Sequence, residues 1–243
     1  MFEIKSTYNK KSIKVNIQDN HKTVCVSVSG GTDSALLLWN ILQYQKETNN
    51  RFKVIIYTSS GRTKKYFNFY HALKVQQWIF NHTGFDHNYV WCTFKQKASI
   101  TSSMYKHMKS ISLLHKPTLF ISGRTSWPPE DQLPAYWKKG QTTSHTGLRI
   151  STTEAITYGR DKNQPVLERL QDEDPQANKW FKPDAFYYTP MISVDKKWIW
   201  GSYKHYGIED LWNATRSCEG EQPILNEKCG TCWWCKEREW AKT

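Results

Sequence analysis

Thr23-Val24-Cys25-Val26-Ser27-Val28-Ser29-Gly30-Gly31-Thr32-Asp33-Ser34 runs from an apolar strand straight into a loop with two glycines. Ala35, Leu38, Trp39 and Leu42 then fall on one face at helical spacing, which predicts a helix to about Lys46. The same pattern repeats downstream. A strand is predicted over 52–57 and a helix over 66–82, with Gly84 as its stop; a further strand covers 88–94. Ile100, Met104, Met108 and Ile111 mark another amphipathic helix, and a fourth strand of the series, 118–122, ends at Gly123. Strands alternating with helices of this length predict an α/β fold, a doubly wound parallel sheet with helices on its faces. Upstream, Ile13-Lys14-Val15-Asn16-Ile17 alternates strictly and reads as an edge strand or hairpin. Parallel sheets bind ligands beyond the carboxyl ends of their strands. The loops at 29–34, 58–65, 95–99 and 123–134 are therefore where a site is expected.

Composition narrows the class. The chain has 243 residues with 38% hydrophobic and 23% charged, and its 12 Trp, 13 Tyr and 10 Phe argue against disorder. Mean hydropathy is −0.72 and no apolar run approaches the ~20 residues that span a bilayer. The opening MFEIKSTYNKKSIK lacks the apolar stretch of a secretory signal, so a cytoplasmic protein without a membrane partner is expected. The net charge is +12. Such a balance attracts polyanions, nucleic acid among them, although a basic solvated surface has the same arithmetic.

The loop has direct chemical meaning. Two glycines allow close backbone approach and positive φ. Loop N–H groups and a helix N-terminus then point at an anion. Ser29, Thr32 and Ser34 offer hydroxyls, and Asp33 offers a carboxylate that can hold Mg²⁺, directly or through water, against phosphate oxygens. Neither GxxxxGK[ST] nor GxGxxG is present, which turns the reading away from P-loop kinases and dinucleotide binders. A plain glycine turn with capping serines is the bland alternative.

Beyond the fourth strand the pattern fades, and the polar stretch at about 140–182 reads as an insertion or lid. A first domain is placed at 1–186. Order returns at 187–192, and Asp195 is positioned to cap a helix over 196–206 that Gly207 ends. The second element, 187–243, closes with a short helix through Trp240 and holds a cysteine cluster. Cys218, Cys229, Cys232 and Cys235 offer four thiolates at a spacing suited to one tetrahedral Zn²⁺. Reduced thiols or an iron–sulfur cluster fit the same spacing. Cys25 and Cys92 sit in apolar runs as small buried hydrophobes.

Ser29-Gly30-Gly31-Thr32-Asp33-Ser34 matches the SGGxDS signature of the PP-loop ATP pyrophosphatases, and the chain resembles that superfamily. Together with Thr189-Pro190-Met191, Asp195-Lys196-Lys197, Tyr206-Gly207, Thr215-Arg216-Ser217-Cys218 and the final CxxCxxC, it is similar to the 7-cyano-7-deazaguanine synthases of deazapurine (queuosine) biosynthesis. The resemblance covers about 23–137 and 187–240. Thr32 stands where that family usually has Met. The resemblance implies an adenine nucleotide alpha hydrolase-like fold, Rossmann-like in outline, and a carbon–nitrogen ligase that uses ATP with Mg²⁺. It would convert 7-carboxy-7-deazaguanine and ammonia to a nitrile through adenylates, releasing AMP and pyrophosphate.

The implied roles follow residue by residue. Asp33 and Ser34 would be catalytic. Nucleotide contacts would come from Ser27, Val28, Ser29, Gly30, Gly31, Thr32, Asp33, Ser34, Tyr57 and Gly123, and deazapurine contacts from Arg124, Trp127, Glu130 and Asp131. The four clustered cysteines would hold structural zinc. Arg62, Lys64 and Lys65 could meet phosphates or simply be solvated. His71, His82 and His87 lack any HxxxH or HExxH pairing. Two other classes stay open: a PP-loop enzyme that thiolates or amidates a base of tRNA or DNA, and a non-catalytic zinc-ribbon module that binds nucleic acid. A homodimer is open as the assembly.

Overall fold

The computed structural model describes residues 1–49, 51–61, 67–85, 88–94, 111, 113–123, 125, 142–143, 149–150, 186–191, 193–218, 228, 230 and 233–243. Chain order begins with a hairpin, β1 (Phe2–Lys5) and β2 (Ser12–Val15), paired antiparallel with Phe2 opposite Val15. β3 (Thr23–Ser27), α1 (Thr32–Glu47), β4 (Lys53–Gly61), α2 (Phe67–Thr83), β5 (Asn88–Phe94) and β6 (Leu119–Ser122) follow in strict alternation up to β5. β7 (Thr142–Thr143) and β8 (Arg149–Ile150) pair with each other. β9 (Phe186–Tyr188), α3 (Lys196–Tyr206), α4 (Glu209–Ala214) and α5 (Trp233–Trp240) complete the described elements.

β3 is the middle of a five-stranded sheet in the order β5-β4-β3-β6-β9. Every pairing in that sheet is parallel. The order runs outward from β3 to β4 and β5, then reverses to β6 and β9. That reversal is the mark of a doubly wound sheet, and it opens a crevice between the loops after β3 and β6. Ser27 is in register with Tyr57 on one side and Ser122 on the other, so β3 and β6 end level. β4 and β5 run on to Gly61 and Phe94, forming a taller wall beside the crevice.

The strands are apolar for a physical reason: Val24, Cys25 and Val26 are all buried, as are all four residues of β6, so both faces are covered. Cys25 is thus a packing residue. α1 is buried more widely than its four spaced apolar residues predict, for Leu36, Leu37 and Ile41 are also enclosed. The cause is that α1 is packed against α3 and α4, so a second face of the helix is covered.

The segment after residue 186 joins this core. β9 is the sheet's fifth strand, and the division expected at 186/187 falls inside it. Asp195 caps α3, accepting from the Trp198 N–H at 3.0 Å, and Gly207 ends it at φ +63°. The N-terminal hairpin rests on α3, with the Ser6 hydroxyl donating to the Trp198 carbonyl at 2.8 Å and the Thr7 N–H to that of Gly201 at 3.2 Å. Of the helix expected over Ile100, Met104, Met108 and Ile111, only Ile111 is among the described residues, where it is helical; most of the 140–182 stretch lies outside them.

Candidate functional site

The loop after β3 is held open by what surrounds it. Gly30 has φ +80°, and a Cβ there would come within 2.5 Å of His71 Cβ and 2.7 Å of Ala72 N, so α2 packs directly on the glycine. The Gly30 carbonyl accepts from the Arg216 N–H at 2.9 Å, which ties the loop to residues 215–218. On the other flank, a Cβ on Gly123 would meet the Asp33 carbonyl carbon and oxygen at 2.7 Å. The end of β6 therefore abuts the first turn of α1, and only glycine fits between them.

The hydroxyls brace the loop from within. Ser34 Oγ donates to the Gly31 carbonyl at 3.1 Å and accepts from the Ser29 N–H at 3.2 Å, while Ser29 Oγ accepts from the Gly31 N–H at 3.4 Å. Thr32 is fully buried and donates to Asp33 Oδ1 at 3.2 Å. What the loop offers outward is backbone. Gly31 caps α1 with no side-chain bond, and the N–H groups of Thr32, Asp33 and Ser34 have no intrahelical acceptor by position. Ser217 Oγ, beside Gly31, is buried without a hydrogen-bond partner among the described residues.

Asp33 is the centre of the arrangement. Its Oδ1 is in an ion pair with Lys196 Nζ, the first residue of α3, and its Oδ2 accepts from Thr125 Oγ1 at 3.2 Å. Lys196 is 4% exposed and Asp33 8%. With the Thr32 hydroxyl also on Oδ1, the carboxylate is occupied by three protein donors from three elements. Oδ2 keeps one acceptor site beyond Thr125, and the expected hold of Asp33 on Mg²⁺, directly or through water, would compete with the Lys196 ion pair.

Tyr57 and Val28 serve the loop as framework. The Val28 N–H donates to the Tyr57 carbonyl at 2.8 Å, and the Tyr57 ring is 1% exposed. Tyr203, also buried, donates its hydroxyl to the Thr32 carbonyl at 2.7 Å. Burial pushes the Tyr203 hydroxyl well above the ordinary tyrosine value, keeping it a donor.

Residues to which the sequence reading gave no role at the loop complete the surroundings. Arg216 is buried, with Nη1 3.5 Å from His71 Nε2, so two basic side chains lie on the α2 side of the loop. Arg238 of α5 stacks over Trp212 at 4.5 Å and donates to Thr215 Oγ1 at 2.7 Å and to the Trp212 carbonyl. Burial brings its pKa down to about 10, partly opposed by Tyr203, Cys235 and Asp33. Buried cations at Lys196, Arg216 and Arg238 thus outnumber the buried carboxylates Asp33 and Glu237 among the described residues. One signal for Lys196 was legible: a lysine in the first turn of a helix opposes the macrodipole, so it needs a carboxylate elsewhere.

Cys218 and Cys235 are placed on adjoining segments, because each is three residues from the Thr215–Arg238 hydrogen bond. Cys229 and Cys232 lie outside the described residues, as do Arg62, Lys64, Lys65, Arg124, Trp127, Glu130 and Asp131. Among the described residues no three potential ligands gather around a metal position. A cavity of about 460 Å³ opens along α2 between Tyr70, Leu73, Phe80 and Phe85, and none of the loop residues line it. No described helix is long and apolar enough to cross a membrane.

No protein-family model matches the chain, and no curated protein matches it. Among solved structures, it is similar to the U34-tRNA thiolase NcsA from Methanococcus maripaludis with its [4Fe-4S] cluster. That match has a TM-score of 0.48 and 11% identity, covering 100% of this chain and 81% of the other. It is also similar to NMN synthetase from Francisella tularensis, with a TM-score of 0.43 and 7% identity over 91% of this chain and 76% of that one. Both TM-scores are below 0.5.

Proposed function

We propose that the protein is an ATP-using enzyme of the PP-loop type, which binds the nucleotide's phosphates at residues 29–34 and releases pyrophosphate. The observation that carries this is the position of the Gly30-Gly31 turn. It leads into the N-terminus of a buried 16-residue helix at the point where the strand order reverses, and buried cations outnumber buried carboxylates among the described residues. Such a turn binds an anion through backbone donors fixed before the ligand arrives. In the reaction, an acceptor oxygen bonds to the α-phosphorus as the bond to pyrophosphate breaks. Charge then grows on the departing group, where fixed N–H groups lower the barrier most. Mg²⁺ enters this reading as the counter-ion of the nucleotide's own phosphates.

The finer proposal rests on the motif resemblance. The acceptor would be the carboxylate of 7-carboxy-7-deazaguanine. Ammonia displaces AMP to give the amide, and a second adenylation, on the amide oxygen, ends in loss of AMP and the nitrile. Arg124, Trp127, Glu130 and Asp131 are proposed to read the deazapurine, and the four clustered cysteines to hold a structural Zn²⁺ that takes no part in chemistry. The net charge of +12 favours a second reading in which the acceptor is a base of tRNA or DNA. The test is product analysis by mass spectrometry after incubation with ATP and each acceptor. AMP and pyrophosphate are expected, with deazapurine nitrile for the first reading and a modified nucleic acid for the second. ADP and orthophosphate as products would exclude the PP-loop chemistry.

A further inference from the structure

Resting on that reading of the loop, we infer that Lys196 takes the place a divalent cation would occupy at Asp33, so that pyrophosphate binds here without a metal held by the loop's carboxylate. The ion pair is built in. Lys196 Nζ meets Asp33 Oδ1 with both residues buried, the Thr32 hydroxyl donates to the same oxygen, and the Thr125 hydroxyl donates to Oδ2. Lys196 is delivered by a defined device, the first residue of a helix capped by Asp195. Its partner is fixed just as firmly, since Asp33 sits in the first turn of α1 against Gly123. Stripping the lysine away to admit a metal would leave an ammonium buried beside the N-termini of two helices, which is strongly unfavourable. The lysine therefore stays, and its remaining N–H donors add a fixed positive charge beside the backbone donors of the loop.

Two probes test this on the full chain. Inorganic pyrophosphate is titrated calorimetrically into the wild type in EDTA and in Mg²⁺; binding in both is expected, with the metal changing affinity by less than about tenfold. Mn²⁺ binding is followed by electron paramagnetic resonance without nucleotide. The wild type is expected to bind no Mn²⁺ at this site. Lys196→Met should weaken metal-free pyrophosphate binding by about tenfold or more, the scale of one charge-assisted hydrogen bond. The same variant should gain a Mn²⁺ site that Lys196→Met with Asp33→Asn loses again, a readout that a packing role for the lysine would not produce. Strict Mg²⁺ dependence of pyrophosphate binding in the wild type, or wild-type Mn²⁺ binding abolished by Asp33→Asn, would overturn the inference and leave the phosphate loop intact. Absence of any binding of pyrophosphate or ATP, with metal or without, would instead remove the phosphate-loop reading. The wild-type arms decide the matter even if a variant fails to fold.

Discussion

His21 accepts the Gln18 N–H at its Nδ1, at 3.1 Å, in the turn that leads into β3, and its side chain is buried. Burial lowers its pKa from the ordinary histidine value. Protonation would also turn the accepting nitrogen into a donor facing a donor. The folded state thus favours the neutral ring, so the histidine's contribution is fully present above the unfolded value of about 6.5 and is lost as pH falls through the folded one. The melting temperature is expected to fall between pH 7 and pH 5. In His21→Asn, whose side-chain oxygen can still accept, that fall should be shallower. Equal slopes in the two proteins would show that another group governs acid sensitivity.

At the scale of elements, α3 sets both the fold and the site. Its first turn holds Lys196 and Lys197, which oppose the helix dipole, so the Asp195 cap has more to offset than usual. Asp195→Ala is expected to cost about 1 kcal/mol in urea unfolding. Because Lys196 follows the cap directly, the same change should also weaken pyrophosphate binding. A loss of stability with unchanged pyrophosphate affinity would mean that Lys196 does not depend on the helix start for its position. The 196–206 helix, its cap and its stop were all legible in the sequence, because Asp195 and Gly207 bracket a periodic run. The alternating strands were legible for the same reason. The Asp33–Lys196 pair was not, since it joins residues 163 positions apart and no local pattern encodes it. β1 went unread because Phe2–Lys5 is short and acquires meaning only by pairing with β2. The hydroxyls of Ser29 and Ser34 were read as donors on offer to an anion. In isolation a serine's hydroxyl looks available, whereas here Ser34 donates to the Gly31 carbonyl and Ser29 accepts the Gly31 N–H.

Over the whole molecule, the last fifty residues complete what the first fifty begin. Lys196 reaches Asp33, Tyr203 reaches the Thr32 carbonyl, and the Arg216 N–H reaches the Gly30 carbonyl. α5 holds residue 215 in place through Arg238, and so holds the segment that pins the Gly30 turn. Cys235 is one helical turn before Arg238 on the same face, and Cys218 is three residues after Thr215, so the Thr215–Arg238 bond and a metal joining these cysteines would fasten the same two segments. On the proposal that all four cysteines hold Zn²⁺, no position would stay open for water and the ion would serve only to hold the chain. That proposal predicts stoichiometric zinc in the purified protein by elemental analysis. Cys235→Ser should lower the melting temperature and weaken pyrophosphate binding together, because a loosened 215–218 segment releases the Gly30 carbonyl. Iron with visible absorbance would replace zinc by a cluster on the same ligands. A metal-free protein whose Cys235→Ser variant melts like the wild type would show that Arg238 and the packing of Trp212 hold this end of the molecule unaided.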